Sequence, residues 1–389
     1  MATRQRAKIG FIGAGNFVSA HHLLTVRDSE RMEIAAIADL DEARLAKHQS
    51  KMQIGYVTTD YKRVLADADI DIVIIGTKQN LHAKMIIESL DAGKWVLCEK
   101  PMAETEDDCQ AVLAAEKRNK GKLAIGFNRR FAPAYIETKR LMKDIPRPWY
   151  INYRLMYPNP EKSGEKNFYS DHPRILYEGC HILDLVSWML EDVPVKVFMT
   201  GDRILNNCCI MEYQDGSQVS FMCGSMGSYC LWKEYMEIFG KYTAITVQDF
   251  TDMRVRGIPG GKDMLFAPHM GEHAAEVLKW GFDFYELYKS KELMKNADAY
   301  KQDYDMFINA VQRPLAVPFD VENYNKVNPD LWGFIPDKGW TGAIENFAAC
   351  FLEGRAPENA DGKAGRLSTE IALGLLKSLE TGLPVTMGK

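Results

Sequence analysis

The chain has 389 residues, with 48 Lys and Arg against 53 Asp and Glu for a formal net charge of −5; 46% of it is hydrophobic and 26% charged. Such proportions belong to a folded globular protein and exclude disorder and collagen-like repeats, and the slightly acidic balance exerts no general pull toward nucleic-acid backbones or anionic membranes. At roughly 150 residues per domain the length allows about two to three domains, each burying its own core. No nucleic-acid partner is expected. No membrane span is expected either, because the opening Met1–Lys8 is polar and no later segment approaches the roughly 20 continuous apolar residues of a spanning helix. The expectation is a cytoplasmic protein whose eight cysteines (98, 109, 180, 208, 209, 223, 230 and 350), lacking any C-x-x-C pair, are packed thiols.

From Lys8 to about Asn128 short apolar runs alternate with amphipathic segments. Ala7–Ile12, Glu33–Ala38, Ile72–Gly76 and Trp95–Cys98 read as buried parallel strands, while Asp41–Lys51, Tyr61–Asp67, His82–Gly93 and Thr105–Lys117 carry helical spacing. This alternation predicts βαβ units and an α/β fold, with residues 1–128 forming a doubly wound parallel sheet. After Arg130 the rhythm changes. A strand at Trp149–Met156, a Pro- and Gly-rich loop through Pro173 and a helix at Gly179–Leu190 precede two hairpins, Cys208–Tyr213 with Gln218–Cys223 and Tyr235–Phe239 with Thr243–Gln248. Residues 129–389 are therefore expected to form an α+β domain with a largely antiparallel open sheet, helices at Glu272–Lys289 and from Phe347 onward, and an insertion at about 290–336.

Gly13-Ala14-Gly15-Asn16-Phe17-Val18 follows the first strand and opens a helix, the context a dinucleotide-binding turn requires. Its glycines allow a tight turn and close approach of backbone N–H groups to a pyrophosphate; the alternative is a strand-to-helix turn with no ligand. Val18 stands where a third Gly or Ala packs helix on strand. Asp39, at the end of the second strand, can accept from both hydroxyls of an adenine ribose and repel a 2′-phosphate, so NAD is expected over NADP. Arg44 is the one nearby cation that could oppose this, unless it lies on the solvent face of the next helix.

Glu99-Lys100-Pro101 ends a buried strand where α/β sheets place ligands, and an amine beside a nicotinamide could hold a hydroxyl and move its proton; a surface Glu-Lys pair is the alternative. His181 and Asp184 sit three apart on one helical face, where a carboxylate could fix the imidazole tautomer, although a lone histidine there is commonly a core or capping residue. His269-Met270-Gly271-Glu272-His273 matches an inverted zinc-protease pattern, but Pro268 and Gly271 interrupt the helix that pattern needs, and no metal is expected. Tyr157, Phe168 and Tyr169 are candidate aromatic walls for a sugar ring.

In this order, Gly13-x-Gly15, Asp39, Asn80-x-His82, Ala92-Gly93-Lys94, Glu99-Lys100-Pro101, Gly126-Phe127-Asn128-Arg129-Arg130-Phe131 and Gly179-x-His181-x-x-Asp184 resemble the Gfo/Idh/MocA oxidoreductase family, as does the tail from Phe347 to Gly382. The resemblance spans most of the chain except about 250–336. It implies a Rossmann domain followed by an open-sheet domain used for assembly into a homodimer or homotetramer, and NAD-dependent oxidation or reduction of a secondary hydroxyl on a sugar, glycoside or inositol. It assigns Lys100 and His181 to catalysis and Asp184 to the substrate or its support, and Tyr177, Asn128 and Arg129 are expected at the substrate as well, with Asn128 on the nicotinamide side. Gly13, Gly15, Asn16, Phe17, Asp39, Thr77, Asn80, His82, Glu99 and Lys100 go to the cofactor. Two positions depart from the family's pattern: Thr77-Lys78-Gln79-Asn80 replaces Thr-Pro-Asn, and Tyr177 replaces an Asp four residues before the histidine. A phenol there suits a bulky glucoside better than a free inositol. The resemblance also permits an enzyme that retains NAD through oxidation, elimination and reduction, and a non-catalytic NAD-binding sensor or repressor.

Overall fold

The computed structural model describes residues 5–156, 172–204, 206–225, 233–266 and 337–388. Its N-terminal half is a six-stranded parallel sheet in the order β3-β2-β1-β4-β5-β6. The strands are β1 (Ala7–Ile12), β2 (Met32–Ala38), β3 (Tyr56–Thr58), β4 (Ile72–Ile75), β5 (Trp95–Cys98) and β6 (Leu123–Ile125). β4 is buried along its whole length, as a strand covered on both faces must be, which is why it reads as an unbroken apolar run. β3 and β6 went unread because three residues are too few to show a period.

A π-helical turn (Val18–His22) runs into α1 (Leu23–Asp28), followed by α2 (Glu42–Lys51), α3 (Tyr61–Ala66), α4 (His82–Asp91) and α5 (Glu106–Arg118). The helix starts are dictated locally: Asp41 accepts from the Arg44 N–H at 3.0 Å, and Thr105 from Asp108 at 3.1 Å, with Glu106, Asp107 and Asp108 complementing the positive end of α5.

The second half holds a nine-stranded sheet ordered β14-β13-β12-β11-β7-β10-β9-β8-β15. It comprises β7 (Tyr150–Met156), β8 (Lys196–Gly201), β9 (Asn207–Glu212), β10 (Gln218–Gly224), β11 (Glu234–Gly240), β12 (Thr243–Gln248), β13 (Asp252–Arg256), β14 (Met264–Leu265) and β15 (Val385–Thr386). All its neighbours run antiparallel except β7 and β10. The inward set Ile151, Tyr153 and Leu155 packs against α6 (Pro133–Met142) and α8 (Cys180–Leu190), which follows the short α7 (Arg174–Tyr177). The other face stays open, exposing Tyr150, Ile210, Met222 and Phe239.

The expected last helix is two, α9 (Trp340–Glu353) and α10 (Gly362–Thr381), parted by Gly354 at φ 67° and restarted by an Asp361 cap on Ala364 at 3.0 Å. α9 returns to the first sheet, where Ile344, Phe347 and Ala348 share a core with Ile9 and Phe11 of β1. β6 ends at Ile125 and β7 begins at Tyr150, so the two sheets draw on separate stretches of the chain, while α9 returns to the first. The expected helix at Glu272–Lys289, the 290–336 insertion, Cys230, Tyr157, Phe168, Tyr169, His269 and His273 lie outside the described residues. Among the described residues the seven remaining cysteines are free thiols, and no helix is long and apolar enough to cross a membrane.

Candidate active site

A cavity of about 520 Å³ opens at the carboxyl ends of β1, β4 and β5, roofed by α8 and the segment before α9. At one end lies the Gly13–Val18 turn. Gly13 holds φ 89°, and a Cβ there would meet the Gly76 carbonyl oxygen at 2.6 Å, so only glycine fits. A Cβ on Gly15 would meet nothing within 4 Å and would project into open space, the clearance that backbone approach to a pyrophosphate needs. Val18 is accommodated from the opposite side: a Cβ on Gly76 would come within 2.2 Å of its Cγ2, so the chain places its third small residue after β4 instead of in the turn. This turn fits a dinucleotide.

Asp39 stands behind the turn. Its carboxylate accepts from Ala14 N–H at 2.7 Å, Asp41 N–H at 2.9 Å and Arg44 Nη1 at 3.0 Å. Burial alone would raise its pKa, but the two backbone donors and Arg44 outweigh that and hold it below the usual range, so the group is ionised. Arg44 is therefore turned onto Asp39, with its own side chain still partly open to solvent.

Glu99 and Lys100 end β5. Glu99 is buried with Oε1 at 2.7 Å from His22 Nε2, a partner the sequence reading missed because 77 positions separate the two residues. Lys100 Nζ donates to the Tyr177 carbonyl at 2.8 Å and lies 3.7 Å from Glu178 Oε2. His82 is buried with Nδ1 at 2.8 Å from the Pro101 carbonyl and Nε2 at 3.3 Å from that of Thr77, tying together the two loops that carry Thr77 and Lys100.

His181 enters the cavity from the first turn of α8, beside Phe127 at a ring separation of 6.4 Å. Burial first, then Arg129 and Lys100, push its pKa well below the ordinary imidazole value against the opposing pull of Glu178. The ring is neutral at physiological pH and can accept a proton. Its Nδ1 has no hydrogen-bond partner among the described residues.

Several assignments change. Asp184 does not steer His181: both its oxygens are taken by Arg130, at 2.6 and 2.9 Å, and it is buried away from the cavity. Glu178 is the carboxylate near the imidazole. Tyr177 does not line the cavity; its ring is buried, its hydroxyl donates to Glu104, and only its carbonyl reaches the site, through Lys100. The idea that its phenol selects glucosides therefore loses its basis. Gly13, Asp39 and Asn80 also lie outside the cavity wall, whereas Gly15, Asn16, Phe17, Thr77, His82, Glu99, Lys100, Asn128, Arg129 and His181 form part of it.

The wall holds further residues the sequence did not single out: Gln79, Arg174, Glu178, Lys233, Lys338 and Trp340. Trp340 stacks near Phe17 (5.6 Å) and His21 (4.1 Å), and Asn128 Nδ2 donates to the Lys338 carbonyl at 2.6 Å, so the segment before α9 is fastened over the turn. A Cβ on Gly339, at φ 84°, would meet the Asn128 carbonyl oxygen at 2.3 Å. Behind the wall Arg129 forms a two-pronged pair with Glu234 at 2.6 and 2.8 Å, and Tyr153 donates to the same carboxylate at 2.5 Å. Among the described residues no group of three or more His, Cys, Asp or Glu could hold a metal.

Residues 7–127 match the model of an oxidoreductase family with an NAD-binding Rossmann fold, Gfo/Idh/MocA. The chain is similar to an uncharacterized oxidoreductase of Bacillus subtilis, 29% identical over 199 residues, which are 51% of this chain and 58% of that one. It is also similar to inositol 2-dehydrogenase 2 of Saccharopolyspora erythraea, 34% identical over 185 residues, 47% of this chain and 53% of that one. The matched stretch thus spans little more than half of either relative. An oxidoreductase from Agrobacterium radiobacter, crystallised with NAD+, L-tartaric acid and magnesium, shares the fold over 98% of both chains, with a TM-score of 0.74 at 17% identity.

Proposed function

We propose that this chain is an NAD-dependent dehydrogenase acting on a secondary hydroxyl of a sugar or polyol, a reading supported by the match of residues 7–127 to an oxidoreductase family with an NAD-binding Rossmann fold. The observation that carries the proposal is the meeting, in one cavity with the Gly13–Val18 turn, of the ammonium of Lys100, after β5, and the neutral imidazole of His181, on α8. NAD, when bound, supplies the acceptor for the hydride that leaves the carbinol carbon. Lys100, aimed by the Tyr177 carbonyl and Glu178, donates to the substrate oxygen and stabilises its developing negative charge. His181, kept unprotonated by burial and by its cationic neighbours, takes the hydroxyl proton. Gly15, Asn16 and Thr77 line the cofactor end of the cavity, with Asp39 behind the turn for the ribose.

The test is nicotinamide absorbance with the purified protein, NAD and a panel of sugars, glycosides and inositols. Net NADH from at least one of them is expected. Tight NAD binding with no turnover across the panel would support a sensor instead. A homodimer or homotetramer built on the open sheet face is proposed too, because Tyr150 and Phe239 lie opposite each other there and Ile210 and Met222 are exposed on neighbouring strands. Light scattering at micromolar concentration would show a monomer if this is wrong.

A further inference from the structure

Trp340 opens α9, whose Ile344, Phe347 and Ala348 enter the core around β1, yet its own indole stays half-buried and lines the cavity with Gly15, Asn16, Phe17 and Val18. A ring of that size gains most from full burial. Left at a cavity wall, it presents a flat apolar face and an N–H donor to whatever enters. Phe17, in the dinucleotide turn itself, is left open beside it at 39% exposure.

The indole is held from several sides. Its centroid lies 4.1 Å from that of His21, tilted at 35°, and 5.6 Å from that of Phe17, close to edge-on at 78°. Thr341 Oγ1, the next residue along, is 3.2 Å from Thr25 Oγ1 on α1. On the other side the Lys338 carbonyl accepts from Asn128 Nδ2 at 2.6 Å, and Gly339, at φ 84°, presses so close to the backbone of Asn128, Phe131 and Ala132 that any side chain would collide with it. Residues 338–341 thus bridge the turn after β6 and the helix after β1, and the ring has little freedom to swing away. The receiving helix is π-wound at Val18–His22, a widening that is frequent at functional sites, and its two histidines divide: His21 meets Trp340, His22 meets Glu99.

Phe17 belongs to the turn, so a ring packed on Phe17 stands at the cofactor end of the cavity. We propose that Trp340 is a cofactor-binding residue: its indole forms a wall over the Gly13–Val18 turn, contacts the pyrophosphate and nicotinamide-ribose half of NAD, and slows its release. An indole face packs on the apolar side of a ribose, and its N–H can donate to a phosphate or hydroxyl oxygen. This adds a side chain, delivered from the far end of the sequence, to a turn that acts through its backbone. It requires NAD in the site and no particular substrate, and so goes beyond the dehydrogenase reading.

The experiment is titration of the full chain with NAD, ADP-ribose and AMP, on wild type, Trp340→Ala and Trp340→Phe. AMP reaches the Asp39 end alone, whereas ADP-ribose adds the pyrophosphate and second ribose. Trp340→Ala is expected to weaken NAD and ADP-ribose about tenfold while leaving AMP unchanged, with the loss in a faster off-rate by stopped-flow displacement, and Trp340→Phe to restore most of it. If Trp340→Ala does not fold, Trp340→Leu takes its place with the same expectation. Loss of AMP in equal measure would show a merely structural ring and overturn the proposal, as would an NAD affinity within twofold of wild type. Failure of the wild type to bind NAD would overturn the dinucleotide site and this wall with it. NAD binding that depends on Trp340 as expected, without turnover of any sugar, would support the wall and count against the dehydrogenase reading alone.

Discussion

The two ends of the cavity are built on different principles. The cofactor end is backbone: a turn in which Gly13 needs a positive φ, Gly15 leaves space, and Gly76 makes room for Val18. The substrate end is side-chain charge, brought by Lys100 from β5, Arg174 from α7, Glu178 and His181 around the start of α8, Lys233 before β11 and Lys338 before α9. At the first end a steric requirement dictates the residue type within a few positions. At the second, a residue's meaning depends on which partner the fold delivers. Arg129 and Arg130 show it well: adjacent in sequence, they turn to Glu234 under the second sheet and to Asp184 on α8.

The sharpest way to separate the two ends is Lys100→Met. It should reduce turnover by about 10²- to 10⁴-fold while changing the NAD dissociation constant little, because in the proposed mechanism the ammonium serves the substrate oxygen and the turn serves the dinucleotide. Stopped-flow turnover and NAD titration on the same preparation check this. A variant within tenfold of wild type would remove Lys100 from the chemistry.

Next in size is the pair behind the wall. Glu234 is wholly buried; burial raises its pKa, but Arg129, Lys338 and Lys233 overcome this and bring it to about 2. Glu234→Gln leaves the Arg129 guanidinium uncompensated and should cost about 3–5 kcal/mol, a fall in Tm on the order of 10 °C. Asp184 differs: burial dominates over Arg130 and its pKa is raised, so its charge is less strongly favoured and Asp184→Asn should cost less. Equal losses in thermal melts would show that the two pairs are energetically alike.

That contrast also marks how far the sequence could be read. The alternation of apolar runs located four of the six parallel strands, and the Gly, Glu-Lys-Pro and His motifs located the turn, Lys100 and His181, because each is a local pattern with a local physical cause. Glu178 went unassigned beside its neighbour Tyr177, and Asp184 was given to His181 on helical spacing alone, since spacing states which residues can meet and not which competitor, here Arg130, arrives first. Lys233 and Lys338 carry no motif at all, and only the packing of the second sheet and α9 brings them into the wall.

A smaller effect is expected with pH. The folded-state pKa of His181 lies well below the ordinary value near 6.5, chiefly through burial, and His82 is shifted the same way for the same reason. On acidification the unfolded chain takes up these protons first, so their stabilising effect is complete above about pH 6.5 and is lost progressively below it, toward the folded-state values. Tm should therefore decline on that side, and His181→Gln should make the decline shallower. For oxidation, the rise of rate with pH that reports His181 should fall on the acid side of 6.5 in the free enzyme.

The smallest effect belongs to the cofactor end and concerns the pair of Asp39 and Arg44. An ionised Asp39 offers acceptance to a ribose diol and repulsion to a 2′-phosphate, so NAD should bind well and NADP poorly. Arg44 sits 3.0 Å from that carboxylate and softens the repulsion, yet its side chain is 35% exposed, and a pair so open to solvent is worth about 0–1 kcal/mol. Asp39→Ser should accordingly narrow the gap between the two cofactors by about tenfold, leaving Arg44 in place to receive the phosphate, whereas Arg44→Ala should widen it only slightly. Fluorescence titration of both nucleotides on the three proteins decides the matter. If wild type binds them with similar affinity, Arg44 and not Asp39 governs the ribose site, and Arg44→Ala would then show the larger change of the two.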